Sequence, residues 1–249
     1  MKYKAIFLDV DGTTVVHGLE NLPTDRVTKA IISCRTLGVN VCLATSRTLS
    51  SVRRIIDHLN LFGYHVISSG AQIYDGKSKK IIIEKSIPTH AIELIYHVAK
   101  KYNASVKFFD GEKDSQFDGV HIPKKVVGAY FPEIEPQVLE KINDELESVE
   151  GIALHRMESW KSHYECLDIT QKEVSKLHGI VDVVKLLNID RKDVIGVGDG
   201  YNDFPLLLAC GLKIAMGNAV PELKAIADFV APSVDEDGVA TVIEKFILS

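Results

Sequence analysis

Near the start of the chain, short unbroken apolar runs alternate with segments in which apolar residues recur every three or four positions. Ala5-Ile6-Phe7-Leu8 reads as a buried strand. Thr24 then caps a helix whose Val27, Ile31, Cys34 and Leu37 share a face and which ends at Gly38. Val39 to Ala44 is a second strand, Leu49, Val52, Ile56 and Leu59 form the apolar stripe of the next helix, and His65 to Ser68 gives a third strand. The strands lack the polar/apolar alternation of a half-exposed sheet, which predicts a parallel sheet covered by helices on both faces. The same texture returns near the end. Val174, Leu177, Val181 and Val184 mark a helix, followed by strands at Val194 to Val197, Lys213 to Met216 and Phe229 to Ala231; Val239, Val242, Ile243 and Phe246 mark a last helix.

The middle differs. From about Glu84 to Cys166, two helical stripes (Ile92, Ile95, Ala99, Tyr102; then Val138, Ile142, Leu146) are interleaved with strands such as Val126 to Phe131 and Ile152 to Met157. Polar loops, notably Asp110 to Gly119, separate them. The expected organisation is an α/β core made of residues 1–84 and 166–249, interrupted by an inserted α+β cap domain at 85–165.

Composition narrows the class. With 249 residues, 46% hydrophobic and 25% charged, the chain is long and apolar enough to bury a core and is not compositionally disordered. Its net charge of −5 and the lack of a basic run argue against a nucleic-acid partner. Four dispersed cysteines, Cys34, Cys42, Cys166 and Cys210, show no C-x-x-C spacing and read as reduced thiols, with Cys42 in a strand. No apolar run reaches the roughly 18 residues of a membrane span, and Met1-Lys2-Tyr3-Lys4 leads into a strand without a signal-peptide pattern; the expected location is the cytoplasm.

The chemistry is concentrated at strand ends. The first strand runs into Asp9-Val10-Asp11-Gly12-Thr13, and the strand at Val194 ends in Gly198-Asp199-Gly200-Tyr201-Asn202-Asp203. Ligands of open α/β sheets bind at the carboxyl ends of strands, where both clusters fall. Either alone reads equally well as an Asp/Gly turn. Together they bring Asp9, Asp11, Asp199 and Asp203 to one edge, and each like-charged pair at ~4 Å costs about 4 kcal/mol at an effective dielectric of ~20. A cation is required, and hard carboxylate oxygens without His or Cys partners favour Mg²⁺. Thr45, at the end of the second strand, and Lys176, near the start of a later helix, are candidate donors to a phosphate; singly, such residues are usually a helix cap and a solvated amine.

Taken in order, Asp9-Val10-Asp11-Gly12-Thr13, Thr45, Lys176 and Gly198-Asp199-Gly200-Tyr201-Asn202-Asp203 resemble the haloacid dehalogenase-like phosphohydrolases, within them the Cof-type branch with an inserted α/β cap. Ala215-Met216-Gly217-Asn218-Ala219, Ala227-Asp228 and Glu236-Asp237-Gly238-Val239-Ala240 extend the likeness toward the C-terminus. The resemblance implies a Rossmann-like core. It also implies that Asp9 is a nucleophile forming an aspartyl-phosphate and that Asp11 is the acid and then the base. Mg²⁺ would be held by the side chains of Asp9 and Asp199 and the backbone carbonyl of Asp11, with Asp203 in support; Gly12, Thr45, Lys176 and Asn202 would receive the phosphoryl group. Two positions depart from the family pattern: Thr45-Ser46-Arg47 stands for the frequent Thr-Gly-Arg, and Ser69-Gly70-Ala71 for Asn-Gly-Ala.

Other signals are weaker. Tyr201 occupies the third-glycine place of a dinucleotide fingerprint begun by Gly196 and Gly198, and Asp75-Gly76-Lys77-Ser78 reads as a hairpin turn rather than a phosphate loop. His17 reads as a surface residue. Arg47, Arg156, Lys161 and His163, with Trp160 among them, are candidate contacts for the rest of the substrate. The expectation is a Mg²⁺-dependent phosphatase of small phosphomonoesters such as sugar phosphates. The same motifs also serve a sugar phosphomutase, and a fold retained without turnover would make a metabolite-binding regulatory protein.

Overall fold

The computed structural model describes residues 2–18, 20–115, 123, 125–159 and 161–249. These residues form two compact units, one made of 1–82 with 175–249 and one of 83–174.

The first unit begins with β1 (Ala5–Leu8), α1 (Asp25–Thr36), β2 (Asn40–Leu43), α2 (Leu49–His58) and β3 (Tyr64–Ile67), then β4 (Gln72–Asp75) and β5 (Lys80–Glu84), within which the boundary between the units falls. Thr24 caps α1, its side chain accepting the Val27 N–H, and Val27, Ala30, Ile31 and Cys34 form the buried face. Leu37, placed on that face by the sequence pattern, is exposed, because the helix ends at Thr36 and the chain turns before the next repeat. β3, β4 and β5 form a three-stranded sheet, and the turn at 76–79 joins its last two strands as a hairpin.

The second unit carries α3 (Thr89–Lys101), β6 (Lys107–Phe109), β7 (Asp114–Ser115), β8 (Gly128–Ile134), α4 (Pro136–Glu147), β9 (Ile152–Glu158) and β10 (Glu165–Gln171). Its antiparallel sheet has the order β7-β6-β8-β10-β9. Ala91, Ile92 and Ile95 of α3 and Leu139, Ile142 and Leu146 of α4 close one apolar core with Phe108, Phe131, Leu167 and Ile169 of the sheet. A register shift between Glu165 and Leu167 explains why neighbours Cys166 and Leu167 are both buried. The chain leaves this unit at Val174 rather than at 165, because β10 pairs with β8 and β9, a partnership that apolar runs do not reveal. Part of the loop expected at Asp110 to Gly119, and Trp160, lie outside the described residues.

The first unit resumes with α5 (Lys176–Leu187), β11 (Val194–Gly198), α6 (Phe204–Ala209), β12 (Leu212–Ala215), α7 (Pro221–Ile226), β13 (Phe229–Val230) and α8 (Gly238–Ile243). Its main sheet runs β13-β12-β11-β1-β2, all parallel. β3 continues beside β2 through a parallel bridge between Ala44 and Val66. Phe7 lies opposite Cys42 on one side and Gly196 on the other and is wholly buried, a burial that stabilises by about 1.5–3 kcal/mol. Gly196 has to be glycine, since a Cβ there would sit 2.8 Å from Cys210 Sγ and 2.9 Å from Leu206 Cδ2. All four cysteines are buried and free of disulfides. Among the described residues no helix is long and apolar enough to cross a membrane.

Candidate active site

β1 and β11 are neighbours in the sheet, so the residues that follow them emerge together. The Asp9 N–H donates to Val197 O at 3.0 Å, extending the ladder one residue beyond β1. The chain then curls: Val10 O accepts the N–H groups of Thr13, Thr14 and Val15, and Thr14 Oγ1 donates to Asp9 O at 2.5 Å. Gly12 makes the curl possible. Its φ is +78°, and a Cβ there would sit 2.2 Å from Asp199 Oδ2 and 2.9 Å from His17 Nε2, so His17 overhangs the site from the same loop.

Asp9, Asp199 and Asp203 each offer a carboxylate oxygen, and these oxygens lie within 4.8 Å of one another. Lys176, the first residue of α5, is buried with them. Its Nζ donates to Asp9 Oδ1 and to Asp203 Oδ1, both at 2.6 Å. Asp203 is wholly buried and also accepts the Asp199 and Gly200 N–H groups on Oδ2, at 2.9 and 3.0 Å, so it fixes the loop after β11. Asp199 Oδ1 accepts from Thr13 Oγ1 at 2.7 Å.

Charge does not balance within this cluster, because three carboxylates face one ammonium. Burial, then the charge of Asp203, push the Asp9 carboxyl well above its ordinary range, although Lys176 pulls the other way. The same two causes raise Asp199 to about 6. Burial opposes the Lys176 charge, but Asp203 and Asp9 outweigh it and hold the amine protonated. Such a set stays ionised only with more positive charge beside it. Three carboxylate oxygens within 4.8 Å of one another, with no nitrogen or sulfur donor among them, suit a small hard divalent cation.

Around this cluster the other expected residues take distinct positions. Thr45, buried at the end of β2, accepts the Arg47 N–H on Oγ1 at 3.1 Å, which leaves its own proton for an anion. The Asp11 carboxylate turns away from the three acids. Arg47 holds it in a fork, Nε to Oδ2 at 2.8 Å and Nη2 to Oδ1 at 2.6 Å, and also donates to Gly18 O at 3.0 Å. Asn202 Nδ2 reaches Ser46 Oγ at 3.4 Å. Ser69 has φ 57° and its N–H donates to Thr45 O, so the altered Ser-Gly-Ala stretch buttresses the Thr45 loop.

Arg156, Lys161 and His163 belong to the other unit. Arg156 lies in β9 and pairs with Glu165, whereas Lys161 and His163 lie between β9 and β10, with Lys161 paired to Glu133. The sequence reading assigned no role to Asn218, whose Nδ2 donates to Gly12 O at 2.8 Å and reaches Asp199 Oδ2 at 3.4 Å. Its signal was present, in the Ala215-Met216-Gly217-Asn218-Ala219 stretch, but had no chemistry attached.

A parallel-sheet core with a buried acid cluster at its strand ends and an inserted antiparallel unit defines a hydrolase class. Residues 6–117 and 114–243 match the family model of the haloacid dehalogenase-like hydrolases, and the chain belongs to that family. A Bacillus subtilis relative, 5-amino-6-(5-phospho-D-ribitylamino)uracil phosphatase YcsE, is 26% identical over 253 residues, covering 98% of this chain and 96% of the relative. Among solved structures, a haloacid dehalogenase-like hydrolase from Bacteroides thetaiotaomicron superposes with a TM-score of 0.83 at 23% identity, over 98% of this chain and all of that one. A subclass IIB sugar phosphatase superposes at 0.80 with 20% identity, over 98% of both chains. These two are likenesses of fold. The expected enzyme class, a phosphatase of this family, agrees with the family match and the relative alike.

Proposed function

We propose that this protein hydrolyses small phosphomonoesters with polyhydroxylated leaving groups, through an aspartyl-phosphate on Asp9 and with Mg²⁺ at Asp9, Asp199 and the Asp11 backbone carbonyl. The observation that carries the reading is the buried cluster of Asp9, Asp199 and Asp203 around Lys176 at the carboxyl ends of β1 and β11. The ribityl-phosphate relative supports the leaving-group class.

Bound there, Mg²⁺ supplies charge neutralisation for an approaching phosphate dianion. The chain's own groups do the rest. Asp9 Oδ1 is held by Lys176, so Oδ2 is the oxygen aimed at phosphorus. Two of the three Lys176 protons are spent on carboxylates and the third serves a phosphoryl oxygen, with the Thr45 hydroxyl on another. As the P–O bond to the leaving group breaks, that oxygen takes a proton from Asp11. The resulting Asp11 carboxylate then removes a proton from the water that attacks the phosphorus of phospho-Asp9, freeing phosphate and restoring Asp9. Arg47 occupies both Asp11 carboxylate oxygens, so proton transfer between Asp11 and the leaving oxygen requires that fork to open. Asp203 acts through Asp199 and Lys176, orienting both.

Phosphate release from a panel of sugar and metabolite phosphates with Mg²⁺ tests the proposal. Turnover of part of the panel, lost to background in Asp9→Asn, is the expected result. Undiminished release in Asp9→Asn removes the nucleophile, and isomerised sugar phosphate without free phosphate turns the reading to a mutase.

A further inference from the structure

Asn218 lies on the segment after β12 and is exposed as a whole residue, yet every part of its amide is engaged. The Val234 N–H donates to its Oδ1 at 2.9 Å. That bond settles which end of the amide is oxygen, and it aims Nδ2 inward at Gly12 O and Asp199 Oδ2. The segment itself is stitched to the end of β11 by its backbone, Met216 N–H to Gly198 O and Val220 N–H to Asp199 O, each at 3.0 Å. One side chain therefore ties the loop carrying Asp9 and Asp11 to the loop carrying Asp199.

We propose that Asn218 is a positioning residue that sets the spacing between the two halves of the Mg²⁺ site, with Val234 as the anchor that orients it. This rests on the metal reading above. Asp199 Oδ1 is steadied by Thr13, and Asn218 reaches the other carboxylate oxygen, Oδ2. Groups that orient a metal ligand typically contribute about 10–100-fold in affinity without touching the ion. Asn218 also holds Gly12 O, one residue beyond the Asp11 carbonyl, so its loss loosens both halves together.

Mg²⁺ titrated calorimetrically into the full chain tests the proposal, using Asn218→Ala and Val234→Pro beside the unsubstituted protein. Ser233 is extended, with ψ 169°, and Val234 opens a short helical turn, so a proline there removes the N–H and leaves the backbone path intact. Asn218→Ala is expected to weaken Mg²⁺ binding by about tenfold or more, and Val234→Pro by severalfold in the same direction. Turnover lost at limiting Mg²⁺ recovers as Mg²⁺ is raised. Unchanged Mg²⁺ affinity in both variants overturns the proposal, as does lost turnover that excess Mg²⁺ does not restore. Should Asn218→Ala fail to fold, Val234→Pro decides alone. Absence of Mg²⁺ binding by the unsubstituted chain overturns the metal reading and this proposal with it, whereas normal binding there with unaltered variants overturns only the role of Asn218.

Discussion

The two units bury different things. Of the buried polar and charged residues among those described, Thr170 alone belongs to 83–174; Asp9, Thr45, Arg47, His65, Lys176, Asp199 and Asp203 all belong to the first unit. The second unit follows the usual rule, with Phe131, Leu167 and their neighbours inside and ion pairs such as Arg156 with Glu165 at the surface. The first unit departs from that rule at one edge of its sheet, and a fold tolerates buried charge only where the groups are paired or a function maintains them. The contrast picks out the edge at which the catalytic site is proposed, without any knowledge of the substrate.

Lys176→Met tests that contrast most directly. It leaves Asp9 and Asp203 buried without their ammonium, and removing one partner of a buried ion pair costs about 3–5 kcal/mol. Urea unfolding in the absence of metal measures the loss, and added Mg²⁺ is expected to recover part of it. A loss below about 1 kcal/mol would show that the site is wet and its charges inexpensive.

Leu167→Ala is the matched experiment in the other unit. Leu167 is wholly buried between helices and sheet, so truncation opens a cavity and costs about 3 kcal/mol, read by the same unfolding curve. The expected difference lies in the metal response. Mg²⁺ is expected to stabilise Leu167→Ala as much as the unsubstituted chain, because an apolar cavity holds no charge for the ion to neutralise. Unequal stabilisation would mean that the two kinds of burial are not independent.

His65 adds a third kind of burial to the first unit: a titratable ring held neutral. It accepts the Leu43 N–H on Nδ1 at 3.1 Å, tying β3 to β2, and stacks near Tyr74. Burial pulls its pKa down to about 4, against the smaller upward pulls of the Leu61 backbone and Asp75. Unfolded, the ring titrates near 6.5, so between those values the unfolded chain binds the extra proton and stability falls as pH drops from about 6.5 to about 4. Below the folded value both states are protonated and the contribution is flat. The window is worth at most about 3 kcal/mol, and His65→Asn, which keeps an acceptor for Leu43, is expected to remove that part of the pH dependence. An unchanged slope would place the acid sensitivity in the carboxylates.

How much of this the sequence revealed follows from the range of each interaction. The strands and the acids after β1 and β11 were legible because their signals are local, an apolar run ending in Asp and Gly. Lys176 was legible only through its order among the other motifs, since its two partners lie 167 and 27 residues away. The fork from Arg47 to Asp11 was not legible, because an arginine bonds a substrate or a neighbouring acid with the same geometry and only the fold selects between them. β10 failed for a related reason. Its run Cys166 to Thr170 suits either sheet, and pairing with β8 and β9 is a property of register.

Arg156 carries the smallest expected effect and the sharpest distinction. Its guanidinium meets Glu165 Oε2 through Nη2 at 2.5 Å and Nε at 2.9 Å, with the Arg side chain 48% exposed, so solvent screens most of the pair's energy. Arg156→Ala is expected to change stability by less than about 1 kcal/mol, far below the loss at Lys176. If Arg156 selects the leaving group, the variant reorders the substrate panel while the turnover of a small generic ester is little changed. Lys161→Ala, which frees Glu133, is read in the same way. A proportional loss across every substrate would assign both residues to the fold of the β9–β10 turn and return specificity to the first unit.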